Sequence, residues 1–516
     1  MTRMILHNAK VATMDARNPW ASLVAIENGR ISFVGNENDG FVFPNGNHQI
    51  EHIDCNGDTV IPGFHDAHLH LDGMATYVVS VDCSSSKAES IHAIQSLISE
   101  RVKSTPPGQW IRARGYHEMV LADGRHPTRY DLDLCAPANP VKLTHQSGHG
   151  SVLNSFALAL IGVDEATRDL PGGMIERMPD SNIPSGVVLE MEDWLFQHIP
   201  QISDADWIRG IRYAKDTLVS HGVTSFQDAT VTNSFRNWGE FRTSVNDIGP
   251  PLRATVMIGK RTGEDTWSGP DDYGGQHFPR LGHTKIMITA GSGTIHPNLT
   301  DIAELLQQSH LYGVPLAVHA VEIDAIAAAL EVWRSVTLEA PQSFFAPHRF
   351  EHCPESPAWV IQELRRFGIS VVVNPGFIYY NGDRYLDTIS GDGLNDLYPF
   401  RSMKEADLLI AAGSDSPVIP VDPIKSMYGA VFRKTSGGRL LNPLESISVT
   451  SALDMHTIAA AKVTGLENVL GSLTPGKYAD MAVLSSDPWV LDQHSWESLV
   501  VRTTIINGEI IWSKSA

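Results

Sequence analysis

With 516 residues, 42% hydrophobic and 19% charged, the chain has the composition of an ordinary globular protein with a large core, which excludes a disordered or fibrous one. Its 39 basic and 59 acidic residues leave a net charge of −20, which repels phosphate backbones and anionic lipid and argues against nucleic-acid and membrane partners. No apolar run approaches the roughly 18 residues of a membrane span. The opening MTRMILHNAKVATMD lacks the apolar core and cleavage site of a signal peptide, and Cys55, Cys83, Cys135 and Cys353 are too scattered for a disulfide framework. A cytoplasmic chain with free, buried thiols is expected.

In chain order, residues 1–62 read as short strands. MILHNAKVATMD, SLVAIENGRISFVG and NHQIEHIDCNGDTVIPG are rich in β-branched residues and punctuated by Asn-Gly turn signals. VIPGFHDAHLH then opens a different rhythm. After it comes an insertion, about 75–215, with its own strands and its own helices, SIHAIQSLISERVK and DADWIRGIRYAKDTLV. Beyond the insertion, apolar runs recur at 221–229, 251–259, 283–291, 313–321, 348–353, 368–376 and 407–415, with amphipathic stretches such as IDAIAAALEVWRSV and PAWVIQELRRFG among them. Strands alternating with helices predict a parallel sheet, and eight such units close into a (β/α)8 TIM barrel over 63–464, carrying the inserted subdomain. The chain ends in strands again: GSLTPGKYADMAVLSSDP and LVVRTTIINGEIIW, with Asn507-Gly508 as a hairpin turn. Residues 465–516 are therefore expected to join 1–62 in one small all-β sandwich domain.

Barrel enzymes assemble their sites at the C-terminal ends of the strands. Read that way, the first strand presents His68 and His70, the fourth Lys285, the fifth His319, the sixth His352 and the eighth Asp415. One His-x-His pair is expected by accident in a chain with 22 histidines, but Lys285, His319 and His352 recur at about one strand-helix unit each. Imidazoles with a carboxylate suit Zn2+ or a similar divalent ion. A lysine carboxylated by CO2 would add an anionic oxygen ligand able to bridge two ions, and those ions would lower the pKa of a shared water. Asp415 could accept that water's proton and pass it to a leaving nitrogen.

VIPGFHDAHLH, HRFEHC, AAGSDSPV and GSLTPGKYADMAVLSSDP resemble the metal-dependent amidohydrolase superfamily. WIRARGYHE, PTRYDLDLCAP, LTHQSGHGSVLNSFAL, PGGMIER and YPFRSM are similar to the branch that includes N-substituted formamide deformylases. The resemblance spans nearly the whole chain. It implies a (β/α)8 barrel, a composite β-domain from both termini, and hydrolysis of carbon–nitrogen bonds. It also implies His68, His70, His319, His352 and Asp415 as metal ligands, with Lys285 as a carboxylated bridge. Many relatives have Phe-Ala-Asp-Gly after the strand-four lysine and His-Ala-Ile-Gly-Asp at strand five; here the chain reads KIMITAGSG and His319-Ala-Val-Glu322. The latter spacing resembles the superfamily's deaminases, in which a single metal is used and the glutamate shuttles protons.

Neighbouring residues receive plainer readings. By alternation His65 faces away from the ligands and packs, while Asp66 fixes the strand end. Ser147 has no Gly-x-Ser-x-Gly elbow and is not expected to be a nucleophile; His149, beside it, is expected near the substrate as a hydrogen-bond donor. Arg401 in YPFRSM is expected to anchor the loop before strand eight. Together these residues predict a metal-dependent hydrolase of an amide-like C–N bond in a small molecule, using metal-activated hydroxide with Asp415 as proton relay. The alternatives are a mononuclear deaminase of an amino-heterocycle with Glu322 as shuttle, and a non-catalytic ligand-binding homologue. A homodimer is the prior expectation for a soluble enzyme.

Overall fold

The computed structural model describes residues 3–43, 50–170, 172–260, 273–275, 277–290, 293–336 and 344–514. Gly291, which closes the fourth predicted strand run, lies outside them. An eight-stranded parallel sheet runs in sequential order through β1 (Phe64–Leu69), β2 (Val223–Asp228), β3 (Arg253–Gly259), β4 (Arg280–Met287), β5 (Leu316–Ala320), β6 (Arg349–His352), β7 (Ser370–Val373) and β8 (Ile410–Ala412). The last strand returns to the first: Asp415 N–H donates to the His68 carbonyl at 2.7 Å, and His70 N–H to that of Ser416 at 2.8 Å. This is the TIM barrel expected from the sequence. Runs such as LAVHA and SVVV are buried along their whole length because parallel barrel strands are covered on both faces.

The helices between strands follow from local chemistry. Asn298 caps helix Leu299–Tyr312 by accepting from Asp301 N–H, and Gly313 ends it at φ 67°, a left-handed conformation that glycine adopts without steric cost. In helix Ile323–Ser335, Ile326, Ala329, Leu330 and Trp333 are buried at the spacing of one helical face. Deleting a fully buried side chain such as Ile326 would cost about 2–5 kcal/mol.

β4 begins at Arg280, three residues before the sequence reading started it. A charged residue at its start hid the strand's beginning, but Arg280, like His283, has a buried partner. Arg280 Nε donates to Thr255 Oγ1 (3.2 Å), and His283 Nε2 lies 3.0 Å from the Pro347 carbonyl. The terminal strands form two further sheets. In one, Arg3–His7 pairs with Leu23–Glu27 and Ile50–Asp54; in the other, Thr59–Pro62 pairs with Met481–Leu484 from the far end of the chain.

Contacts divide the chain into two compact units. One comprises Met1–Leu71, Ala214–Ala290 and Pro297–Ala516; the other comprises Asp72–Tyr213 with Gly291–His296. The second unit is built on its own six-stranded sheet, which includes Ile111–Tyr116, Val141–His145 and Gly150–Leu153, under helix Ile91–Val102. All four cysteines are free and buried, as their spacing suggested. No helix among the described residues is long and apolar enough to cross a membrane.

Candidate metal centre

The six residues singled out on the barrel strands come to the strand ends, though at staggered depth. Lys285 pairs with Ala317 and Met287 with His319, so the lysine sits two residues deeper than the histidine on β5; His319 in turn pairs with Glu351, one residue before His352. The even level expected from the spacing is thus replaced by a stair, the stagger that closing a barrel requires. His70 and Asp415 lie beyond their strands and are held by the backbone bonds that join the first and eighth strands. Gly413 makes that approach possible: a Cβ there would lie 2.8 Å from His68 N and 2.5 Å from its Cβ.

The rings converge on Asp415. Its Oδ1 is 3.0 Å from His70 Nε2 and 3.4 Å from His68 Nε2. The His68 and His352 ring centroids are 4.8 Å apart, and His352 Nε2 lies 3.0 Å from His319 Nδ1. His352 (φ 71°) and Asp415 (φ 57°) both hold a left-handed backbone, a strain that recurs where side chains are aimed for function.

Neighbours fix the tautomers. The Asn374 amide donates to the Gly413 carbonyl at 3.0 Å, so its Oδ1 accepts from His352 Nδ1–H at 2.7 Å and His352 Nε2 keeps its lone pair. Glu351 Oε2 accepts from His68 Nδ1, and Glu351 is held by Arg349, which donates to Glu351 Oε1 and Gln227 Oε1 at 2.6 Å and to the Ala67 carbonyl at 2.9 Å. A carboxylate behind a ligating imidazole orients it and raises its basicity. His68 Nε2 is buried without a hydrogen-bond partner among the described residues, and so is Lys285 Nζ.

The electrostatics agree. Burial alone would raise the Asp415 carboxyl, but His68 and His70 hold it well below the usual carboxylate range. Burial likewise opposes a charged Glu351, and Arg349, His68 and Lys285 outweigh it. Burial lowers His352 to about 4 and Lys285 to about 8. A lysine so depressed has a larger neutral fraction near neutrality than a free one, and the neutral amine is the form that takes up CO2. His68, His352 and Asp415 each offer a ligand atom within 4.8 Å of the others. Lone pairs on imidazoles, an orphaned buried nitrogen and an anionic carboxylate are the donor set a divalent cation completes.

Other sequence candidates have partners of their own. Glu322 is exposed at the N-cap of helix Ile323–Ser335 and makes no capping bond. His149 belongs to the second compact unit, where its Nδ1 is 3.1 Å from Glu190 Oε2. Asp66 accepts from the N–H groups of His68 and Ser414 and ties β1 to the end of β8; His65 packs against Ser225, 2.7 Å from its Oγ. Arg401 corrects an expectation: it is exposed and pairs with Glu405. The guanidinium anchoring that loop is Arg433, buried and bonded to the carbonyls of Leu397 and Tyr398. Glu351, Arg349 and Asn374 escaped the sequence reading. The available signal was an Arg-x-Glu pair inside a buried strand run, costly unless both charges are matched.

The sequence profile of a family described as the amidohydrolase family matches residues 51–512. The chain is 29% identical to the N-substituted formamide deformylase of Arthrobacter pascens, covering 100% of this chain and 99% of the relative. It is 24% identical to a putative amidohydrolase of Bacillus subtilis (strain 168), covering 99% and 100%. Among solved structures, an uncharacterized metal-dependent hydrolase from Pyrococcus horikoshii OT3 superposes with a TM-score of 0.69 at 20% identity, covering 96% of this chain and 99% of the other, which speaks to the fold.

Proposed function

The chain belongs to the amidohydrolase family, and from that premise we propose that it is a divalent-metal-dependent hydrolase that cleaves an amide-like C–N bond in a small neutral or hydrophobic substrate. The observation that carries this reading is the convergence of His68, His352 and Asp415 within ligating distance, with His68 Nε2 left without a partner. His68, His70, His319, His352 and Asp415 would hold the metal, most suitably Zn2+, and a carboxylated Lys285 would bridge a second ion. Such ions, when bound, lower the pKa of water and polarise the scissile carbonyl.

The chain's own groups then have separate tasks. Glu351 and Asn374 hold His68 and His352 in the tautomers that expose Nε2. Asp415, kept ionised by its histidines, takes the proton from the attacking water and delivers it to the departing nitrogen. Burial of the cluster excludes bulk water, so these charges act in a low dielectric. The full-length similarity to a deformylase supports N-substituted formamides as the first substrate class to try.

The test is a discontinuous assay of chelator-stripped protein on an N-benzylformamide-type substrate, with and without Zn2+. Metal-dependent formate and amine release is expected. Ammonia release from an amino-heterocycle, with no amide cleavage, would reject the amide reading and favour deamination.

A further inference from the structure

The second compact unit carries another convergence of imidazoles. Strands Ile111–Tyr116 and Val141–His145 run parallel there, and Tyr116 pairs with His145 after a register shift between Arg114 and Tyr116. The intervening Gly115 sits at φ 92°. A bulge of this kind re-aims the residues that follow it, and here those are His117 and Glu118. Glu118 Oε2 is 2.9 Å from His145 Nε2, 3.4 Å from His117 Nδ1 and 3.8 Å from His126 Nδ1. His117, Glu118 and His145 each offer a ligand atom, all within 4.8 Å of one another.

Two of those atoms are poorly served as they stand. Glu118 Oε2 and His145 Nε2 are close but not aligned as a hydrogen bond, and neither buried atom has a hydrogen-bond partner among the described residues. A buried polar atom left in that state is expensive unless something completes it. We propose that His117, Glu118 and His145 form a second binding site for a divalent transition-metal ion such as Zn2+, built from none of the barrel residues.

Two imidazoles and a carboxylate, with a fourth position for water, are an established zinc donor set. The proton balance is simple. His145 Nδ1 accepts from Ser147 N–H at 3.1 Å and lies 2.8 Å from Ser147 Oγ, which places the ring proton on Nε2. Binding needs the Nε2 lone pair, so the proton moves to Nδ1, Ser147 Oγ accepts it and the Ser147 N–H bond is given up. Met119 N–H reaches His117 Nδ1 at 3.3 Å, a long hydrogen bond that the ion displaces. Tyr116 O–H, 2.9 Å from His126 Nδ1, occupies that nitrogen and leaves His126 outside the ligand set. The competing arrangement is a protonated imidazole paired with Glu118 and no metal.

The full-length protein is stripped with chelator and titrated with Zn2+ as wild type, with His68→Ala plus His70→Ala, with Glu118→Ala plus His145→Ala, and with all four changes. The folded barrel variant should keep roughly one ion per chain, and adding the insertion changes should weaken its binding by at least about 10–100-fold. In the otherwise wild-type chain, Glu118→Ala plus His145→Ala should lower the stoichiometry by one. That comparison decides the matter if the barrel variant does not fold. A folded barrel variant that binds no Zn2+, or an unchanged stoichiometry in the insertion variant, overturns the proposal.

Discussion

Glu351→Gln is the substitution that most directly tests how the barrel centre is held. The carboxylate accepts from His68 on one oxygen and from Arg349 on the other. A carboxamide cannot serve both. With its oxygen toward His68, its NH2 faces the Arg349 Nε–H, donor against donor. With its NH2 toward His68, the ring proton must move to Nε2 and block the lone pair meant for metal. Breaking a buried ion pair from one side costs about 3–5 kcal/mol. The low end applies here, because Arg349 keeps its bonds to Gln227 and the Ala67 carbonyl. Loss of the orienting carboxylate should weaken metal binding about 10–100-fold, or about 1.4–2.7 kcal/mol. Zinc affinity is read by competition with a chromophoric chelator, and stability by thermal melting of the stripped protein. A folded Glu351→Gln protein with wild-type affinity and an unshifted melting midpoint would refute the reasoning.

Three further outcomes are expected. Lys285→Ala should lower the ion count, measured by elemental analysis in bicarbonate buffer, by about one per chain; a count indifferent to both lysine and bicarbonate excludes the bridge. Asp415→Asn should lower turnover by about 10²–10⁴-fold, measured as initial rates at saturating substrate and metal; near-normal turnover would remove Asp415 from proton transfer. His456 bears on acid stability: burial pushes its pKa down to about 3, whereas the unfolded imidazole titrates near 6.5. Between those values the unfolded chain binds more protons, so stability falls as pH drops through that window and is flat above it. His456→Gln should flatten this limb of the melting midpoint against pH, and an unchanged limb would assign the acid sensitivity to other groups.

Much of the barrel was legible because apolar strand runs and amphipathic helices alternate along the chain, and periodicity survives without knowledge of partners. Strand four shows the limit. Arg280 looks like a loop residue until Thr255 is placed beside it. The candidate ligands were legible for a related reason, since His68, His70, His319, His352 and Asp415 each fall at the end of a strand that the pattern reveals.

What supports those side chains was not legible. Glu351 stands next to the candidate ligand His352 in the sequence, yet its partner is His68, 283 positions away. Asn374 acquires its role only because the Gly413 carbonyl fixes its amide. Sequence by itself determined the elements and the chemical types at their ends, since both depend on local spacing. Tertiary structure alone decided the depth of each candidate ligand, its tautomer and the charge it tolerates. Those depend on barrel stagger and on groups that meet only when the first and eighth strands close.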